Sequence, residues 1–289
     1  MFRLSHFLRV FPLLAIGLTA IPAVALAAPL TMDVYISPPG VVSTPIAGAI
    51  TETFDSLATG NRIADYAGFM SGSPTPTSRG TYALSSTNPF NIQAANQYGG
   101  AGGTNYMALG SQSGSSVPVT LTLSTPQNYF GFWWSAGDAQ NGISFYSGND
   151  LLIRYSTVDV LGLLSASPPD TVTAGDGSVY NKIAYRGKPA GNGAGSGQNT
   201  GEPYAYISFV AVGFSFTSVV FDNNGTTGTG FESDNHSIYA GTITSIPSAI
   251  LVSSNFVAVP EPSTLLLGGL ALTGGICAAF RKLRRRRAG

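Results

Sequence analysis

From residue 119 onward, apolar and polar positions alternate in short bursts. Val119-Thr120-Leu121-Thr122-Leu123-Ser124 puts its aliphatic side chains on one face and its hydroxyls on the other, as a half-buried strand does. Pro126-Gln127-Asn128 follows as a turn. Tyr129-Phe130-Gly131-Phe132-Trp133-Trp134 drops the alternation, with Phe130, Phe132 and Trp134 on one face and Tyr129 and Trp133 on the other. A strand that is aromatic on both sides predicts a central position in a sheet covered on both faces. Ile143–Tyr146 and Leu151–Tyr155 flank Ser147-Gly148-Asn149-Asp150, which predicts a hairpin. Tyr204–Val212 and Phe214–Asp222 read as two more strands, the second ended by the Asn223-Asn224-Gly225 turn. Ser237–Ile243 reads as the closing strand, and Met32–Ile36, Ile50–Phe54 and Tyr82–Ser85 as early ones. Turn residues recurring at intervals of roughly 8–12 predict an all-β fold, an antiparallel, jelly-roll-like β-sandwich.

Two segments interrupt this rhythm. Gln97–Thr104 contains Gly99-Gly100-Ala101-Gly102-Gly103, and Gly187–Gly201 holds six glycines in fifteen residues. Both read as long flexible loops. Neither fits a phosphate cradle. The glycines at 191, 193, 195 and 197 lack the Gly-x-Gly-x-x-Gly spacing, and in Gly187-Lys188-Pro189 a proline stands where a P-loop needs Ser or Thr.

The two ends of the chain differ from the body. Arg3 and Arg9, the apolar run Val10–Ile21 and the small-x-small triplet Ala25-Leu26-Ala27 make a signal peptide over 1–27, cut by signal peptidase between Ala27 and Ala28. At the other end stand Val259-Pro260-Glu261-Pro262, an apolar segment from Leu265 to Phe280 and the basic cluster Arg281–Arg287. Sixteen helical residues reach about 24 Å, short of a hydrocarbon core of about 30 Å, so 265–280 suits a transient inner-membrane stop. The basic cluster keeps the far side cytoplasmic and places the body outside. The predicted organisation is a signal peptide (1–27), a sandwich domain (28–245), a linker (246–259) and a sorting tail (260–289).

This layout resembles the PEP-CTERM family of exosortase substrates, on the strength of Val259, Pro260, Glu261 and Pro262, the apolar helix and the basic stop. The resemblance implies cleavage near the Pro-Glu-Pro box by exosortase in a Gram-negative bacterium. It also implies an exported protein of the cell surface or extracellular matrix, structural or adhesive in biofilm or exopolysaccharide.

With both ends removed, the body holds six basic against thirteen acidic residues, a net charge of −7 hidden by the whole-chain balance of zero. An acidic body is a poor ligand for nucleic acid or anionic lipid. The sole cysteine, Cys277, lies in the tail, and His236 is the sole histidine of the mature body. Disulfides, thiol catalysis and Cys- or multi-His metal sites are thereby excluded. His236, in the polar run Glu232–Ser237, reads as an exposed turn residue, and no Gly-x-Ser-x-Gly elbow exists. The expectation is a non-enzymatic protein. Two alternatives carry candidate residues. A calcium-assisted carbohydrate-binding module would draw its oxygen ligands from Glu52, Asp55, Asp222, Glu232 and Asp234, brought together if first and last strands pair. Tyr98, Tyr106 and Trp133 would form its sugar platform, with Tyr98 the most exposed ring and Trp133 competing with a role in the core. A glycan hydrolase would need two of the acids roughly 5–10 Å apart.

Overall fold

The computed structural model describes residues 31–70, 77–165 and 168–256. The signal peptide, the apolar segment at 265–280 and the Pro-Glu-Pro box lie outside them. In chain order the strands are β1 (Thr31–Ile36), β2 (Ile50–Glu52), β3 (Gly60–Arg62), β4 (Tyr66–Gly68), β5 (Gly80–Ala83), β6 (Phe90–Gln93), β7 (Tyr106–Gly110) and β8 (Val119–Gln127). There follow β9 (Tyr129–Ser135), β10 (Gly142–Ser147), β11 (Asp150–Ser156), β12 (Thr171–Thr173), β13 (Val179–Asn181), β14 (Ala205–Val212), β15 (Phe216–Asp222), β16 (Gly230–Tyr239) and β17 (Ile250–Phe256).

Two antiparallel sheets face each other. One has nine strands, β17-β1-β14-β9-β16-β7-β6-β3 with β2 alongside β16; the other has six, β11-β10-β15-β8-β5-β4. Their facing surfaces form one apolar core. Phe130, Phe132, Trp134, Ile207, Phe209 and Phe231 come from the larger sheet, and Tyr82, Leu121, Ile143, Phe145, Val219 and Phe221 from the smaller. The antiparallel β-sandwich read from the alternation is the observed fold.

Strand β9 is central, between β14 and β16, and all seven of its residues are buried. Phe130, Phe132 and Trp134 face the sandwich core. Tyr129 joins Tyr35 and Val210 in a second apolar cluster, and Trp133 joins Tyr204, Tyr206 and Ala101 in a third, on the back of the sheet. The hairpin of β10 and β11 forms as expected, closed by Ser147–Asp150.

Residues 246–259, expected as a linker, are corrected in part: 250–256 form the edge strand β17, paired with β1 from Thr31↔Phe256 to Ile36↔Ile250. Ile250 is buried and Val252 packs on the core, and no proline breaks the run, so the segment can complete the sheet. The body therefore extends to residue 256 rather than 245.

The two glycine-rich segments, expected to be flexible, fold onto each other. Gly193 (φ 85°) lies so close to the Gly103 backbone that a Cβ at 193 would overlap it. Gly195 meets Asn96 and Gln97 in the same way. Here glycine serves close approach of two backbones. Lys188, fully buried, fastens the pair. Its ammonium donates to the carbonyls of Asn96 (2.7 Å), Gly99 (2.7 Å) and Ala194.

Candidate functional site

Strand β16 carries the most chemistry. From Phe231 it points odd-numbered residues into the core and even-numbered ones, Glu232 and Asp234, to the back of the sheet. At Asn235 (φ 49°) the register with β9 shifts, so that Asp234 lies opposite Trp133 while Ser237 lies opposite Gly131. This bulge turns His236 inward. His236 is fully buried, with Nδ1 2.8 Å from the Tyr82 hydroxyl and Nε2 2.9 Å from Ser233 Oγ. Phe221 stacks on its ring at 4.9 Å and Phe54 meets it edge-on at 5.0 Å. Burial drives its pKa down to about 3, so it is a neutral core residue. The exposed turn histidine expected from its polar neighbours is thus overturned by the bulge.

On the back of the sheet, Asp234 accepts from the backbone N–H of Ala101 (2.8 Å) and of Asn235 (2.7 Å). Burial raises its pKa well above the carboxylate range; those two N–H groups partly offset this and the nearby Asp55 adds to it. Lys188 is depressed to about 8 by burial, partly restored by Asp234. Asp234 and Lys188 therefore organise the two glycine loops.

Glu232 faces a different space. It lines a pocket of about 350 Å³ at one end of the larger sheet, with Tyr98, Gln112, Asp138, Glu202 and Thr229 on the walls. All of these walls except Tyr98, which stands in the first glycine loop, are segments next to a strand end: Gln112 follows β7, Asp138 follows β9, Glu202 precedes β14 and Thr229 precedes β16. Gly230 leaves room for the Glu232 carboxyl, which would overlap a Cβ there. Gln112 Nε2 donates to Glu232 Oε1. Burial lifts the Glu232 pKa to about 8; the Gln112 bond lowers it, and the charges of Asp138 and Glu202 raise it again. Asp138 is raised as well, first by burial and then by Glu202. The pocket thus combines the protonated carboxyl of Glu232 with two further acidic side chains, amide groups and one ring. Tyr98, 40% exposed, sits on a loop held by its own N–H to Asn96 Oδ1 (2.8 Å).

A consequence for stability follows. Glu232 holds its proton to about pH 8 when folded, against 4.5 for the ordinary carboxyl. The folded state binds the extra proton, so the contribution of Glu232 to stability is fully present below pH 4.5 and is lost as pH rises through 8. Glu232→Gln is expected to flatten this fall and to gain on the order of 2–3 kcal/mol over the parent at pH 8. Denaturant titrations at pH 5 and pH 8 check it: an unchanged pH slope in the variant rules the assignment out.

Most of the candidate residues do not assemble as expected. Trp133 and Tyr106 are buried, Trp133 packed on Tyr204 at 5.9 Å and Tyr106 bonded to Asn96 Oδ1 at 3.2 Å. Neither is an open sugar platform, because the glycine loops cover that face; Tyr98 alone of the three lines the pocket. First and late acids do approach, since β2 pairs with β16 and places Glu52 opposite His236. However, Glu52 is used internally, accepting from the N–H groups of Phe54 (2.8 Å) and Phe69 (3.0 Å). Asp222 pairs with Arg154 at 2.7 Å in the other sheet, and Asp55 accepts from Asn105 N–H at 3.0 Å. The five proposed calcium ligands are therefore split among separate places, and the described residues contain no group of three or more His, Cys, Asp or Glu placed to hold a metal ion. Asp138, Glu202 and Gln112 were not singled out from sequence. Asp138 and Glu202 stand in Gly137-Asp138 and Gly201-Glu202-Pro203, turn sequences next to predicted strands, and such strand-end positions are where binding groups concentrate.

Residues 258–286, directly beyond β17, match the family description "PEP-CTERM protein-sorting motif". The chain carries a PEP-CTERM sorting motif. A PEP-CTERM motif implies an exported protein, targeted to exosortase and sent to the cell surface of a Gram-negative bacterium. No curated protein matches the chain. Among solved structures it is similar to a variant catalytic domain of a GH87 alpha-1,3-glucanase in complex with tetrasaccharides. The identity is 12% and the TM-score 0.29, over 65% of this chain and 30% of that one. The chain spans under a third of that structure's length, and so low a score carries no argument.

Proposed function

We propose that this PEP-CTERM protein is a non-enzymatic component of the cell surface or extracellular matrix that binds extracellular polysaccharide in the Tyr98–Glu232 pocket. One observation carries the reading: a partly exposed ring stands on the wall of a concave site whose other walls are carboxyl and amide groups. Sugars offer C–H faces that pack on rings and hydroxyls that donate to carboxylates and accept from amides. Calcium is not required by this reading.

Purified from its host, the protein is expected to co-sediment with that host's extracellular polysaccharide. Tyr98→Ala is expected to weaken binding about tenfold, near 1.4 kcal/mol, for loss of one ring contact. Absence of binding by the parent, or unchanged binding by the variant, overturns the proposal.

A second reading has an observation of its own. A protonated Glu232 beside Asp138 and Glu202 resembles the acid and base pair of glycoside hydrolysis. Binding is preferred because Glu232 is only 3% exposed and its carboxyl is held by Gln112, whereas a general acid must reach the glycosidic oxygen. New reducing ends released by the parent and lost in Glu232→Gln would favour hydrolysis.

A further inference from the structure

The register of the large sheet fixes which way the pocket faces. Strands β1 and β17 pair with Thr31 opposite Phe256, so the first and last described residues of the body lie side by side. Val212 of β14, Tyr129 of β9 and Tyr239 of β16 share that end, through the pairs Thr31↔Val212, Val210↔Tyr129 and Tyr239↔Tyr129. The pocket lies at the other end, where Glu202 precedes Ala205, Asp138 follows Ser135 and Glu232 opens β16. From Ala205 to Val212 is seven residue steps, about 23 Å.

Both processing sites adjoin the Thr31–Phe256 end. The cut expected after Ala27 is four residues before Thr31, and the sorting motif begins two residues after Phe256. We propose that this end of the sandwich faces the membrane during sorting. The pocket rim is then the outward face, and the protein links its C-terminal attachment point to a glycan on the opposite side. The inference rests on the proposed function for the nature of the ligand only. Length supports it. Nine steps separate Phe256 from Leu265, at most about 30 Å fully extended. Turning the rim to the bilayer requires the chain to run back about 23 Å along the sheet, most of that reach, through Pro260 and Pro262. Charge points the same way, because Asp138 and Glu202 on the rim are repelled by anionic lipid. Whatever receives the cut C-terminus holds the body by the same end.

The test uses the full chain with its tail intact, purified from a host lacking exosortase and reconstituted into vesicles of phosphatidylethanolamine and phosphatidylglycerol. In a Cys277→Ser background the protein has no other thiol. Thr227→Cys places a dye on the rim and Thr242→Cys places one at the tail end, both at exposed positions. A quencher carried on lipid head groups is expected to quench the dye at 242 strongly and the dye at 227 weakly. Equal quenching, or the reverse order, overturns the orientation. Polysaccharide added to the same vesicles is expected to alter the emission of the rim dye alone. Correct quenching without that response keeps the orientation and defeats the glycan reading. A rim response with equal quenching does the opposite.

Discussion

Lys188→Met is expected to destabilise the protein by on the order of 3–5 kcal/mol, the largest effect of any single substitution outside the sandwich core. The ammonium is fully buried and answers three main-chain carbonyls, those of Asn96, Gly99 and Ala194. Methionine fills the volume but donates nothing, so the carbonyls of Asn96 and Ala194 lose this donor and that of Gly99 keeps only the N–H of Asn96 (3.1 Å). Besides Lys188, Asp234 holds the first glycine loop through the N–H of Ala101 (2.8 Å). Tyr204 OH to the Gln97 carbonyl (2.6 Å) and Tyr106 OH to Asn96 Oδ1 (3.2 Å) are the remaining polar links from buried rings to the first loop. Because Tyr98 rides on that loop, the variant is also expected to lose polysaccharide binding when folded. Denaturant midpoints with constant slope measure the first effect and co-sedimentation the second. A loss under about 1 kcal/mol would show that the loops pack without the clasp.

Acidification is expected to unfold the protein through His236. Burial lowers its pKa to about 3 in the folded state, against 6.5 for the ordinary imidazole. Between those values the unfolded chain binds the extra proton. The contribution is therefore fully present above pH 6.5 and is lost as pH falls toward 3. The shift corresponds to on the order of 3–5 kcal/mol across that window. Glu232 and Asp234 act in the opposite sense, since their raised values favour the folded state at lower pH. The stability maximum is drawn to the acid side of neutrality, with His236 setting the acid limb and the two carboxyls the alkaline one. His236→Gln is expected to remove the acid limb. It also costs on the order of 2 kcal/mol at pH 7, from lost packing on Phe221 and Phe54 and a weaker bridge between Tyr82 and Ser233. A stability profile of the variant that still falls between pH 6.5 and 3 with the parent's slope would assign the acid limb to other groups.

The sandwich was legible because its cause is local. Alternation in Val119–Ser124 and double-sided aromatics in Tyr129–Trp134 state which faces are buried, and the tight turns state where strands end. The pocket was legible only in part. Tyr98 could be named because it borders a glycine run. Asp138 and Glu202 are brought beside Glu232 by strand order, β14-β9-β16, which no single segment encodes. The inward turn of His236 depends on one bulge residue, Asn235, that leaves no mark in hydrophobic periodicity. The glycine loops misled for a physical reason. Glycine permits flexibility and close backbone packing alike, and a buried cation such as Lys188 decides between them. Strand β17 was missed because Ser253-Ser254-Asn255 reads as linker until β1 is there to pair with it.

The sorting motif at 258–286 sends this chain for export and leaves a sandwich body to act outside. The most direct measurement is the intact mass of the protein from its native host, in membrane and extracellular fractions. The expected mass lacks residues 1–27 and the tail beyond the Pro-Glu-Pro box, with any excess reporting what is joined at the cut. A mass that retains Leu265–Gly289 in both fractions would contradict it.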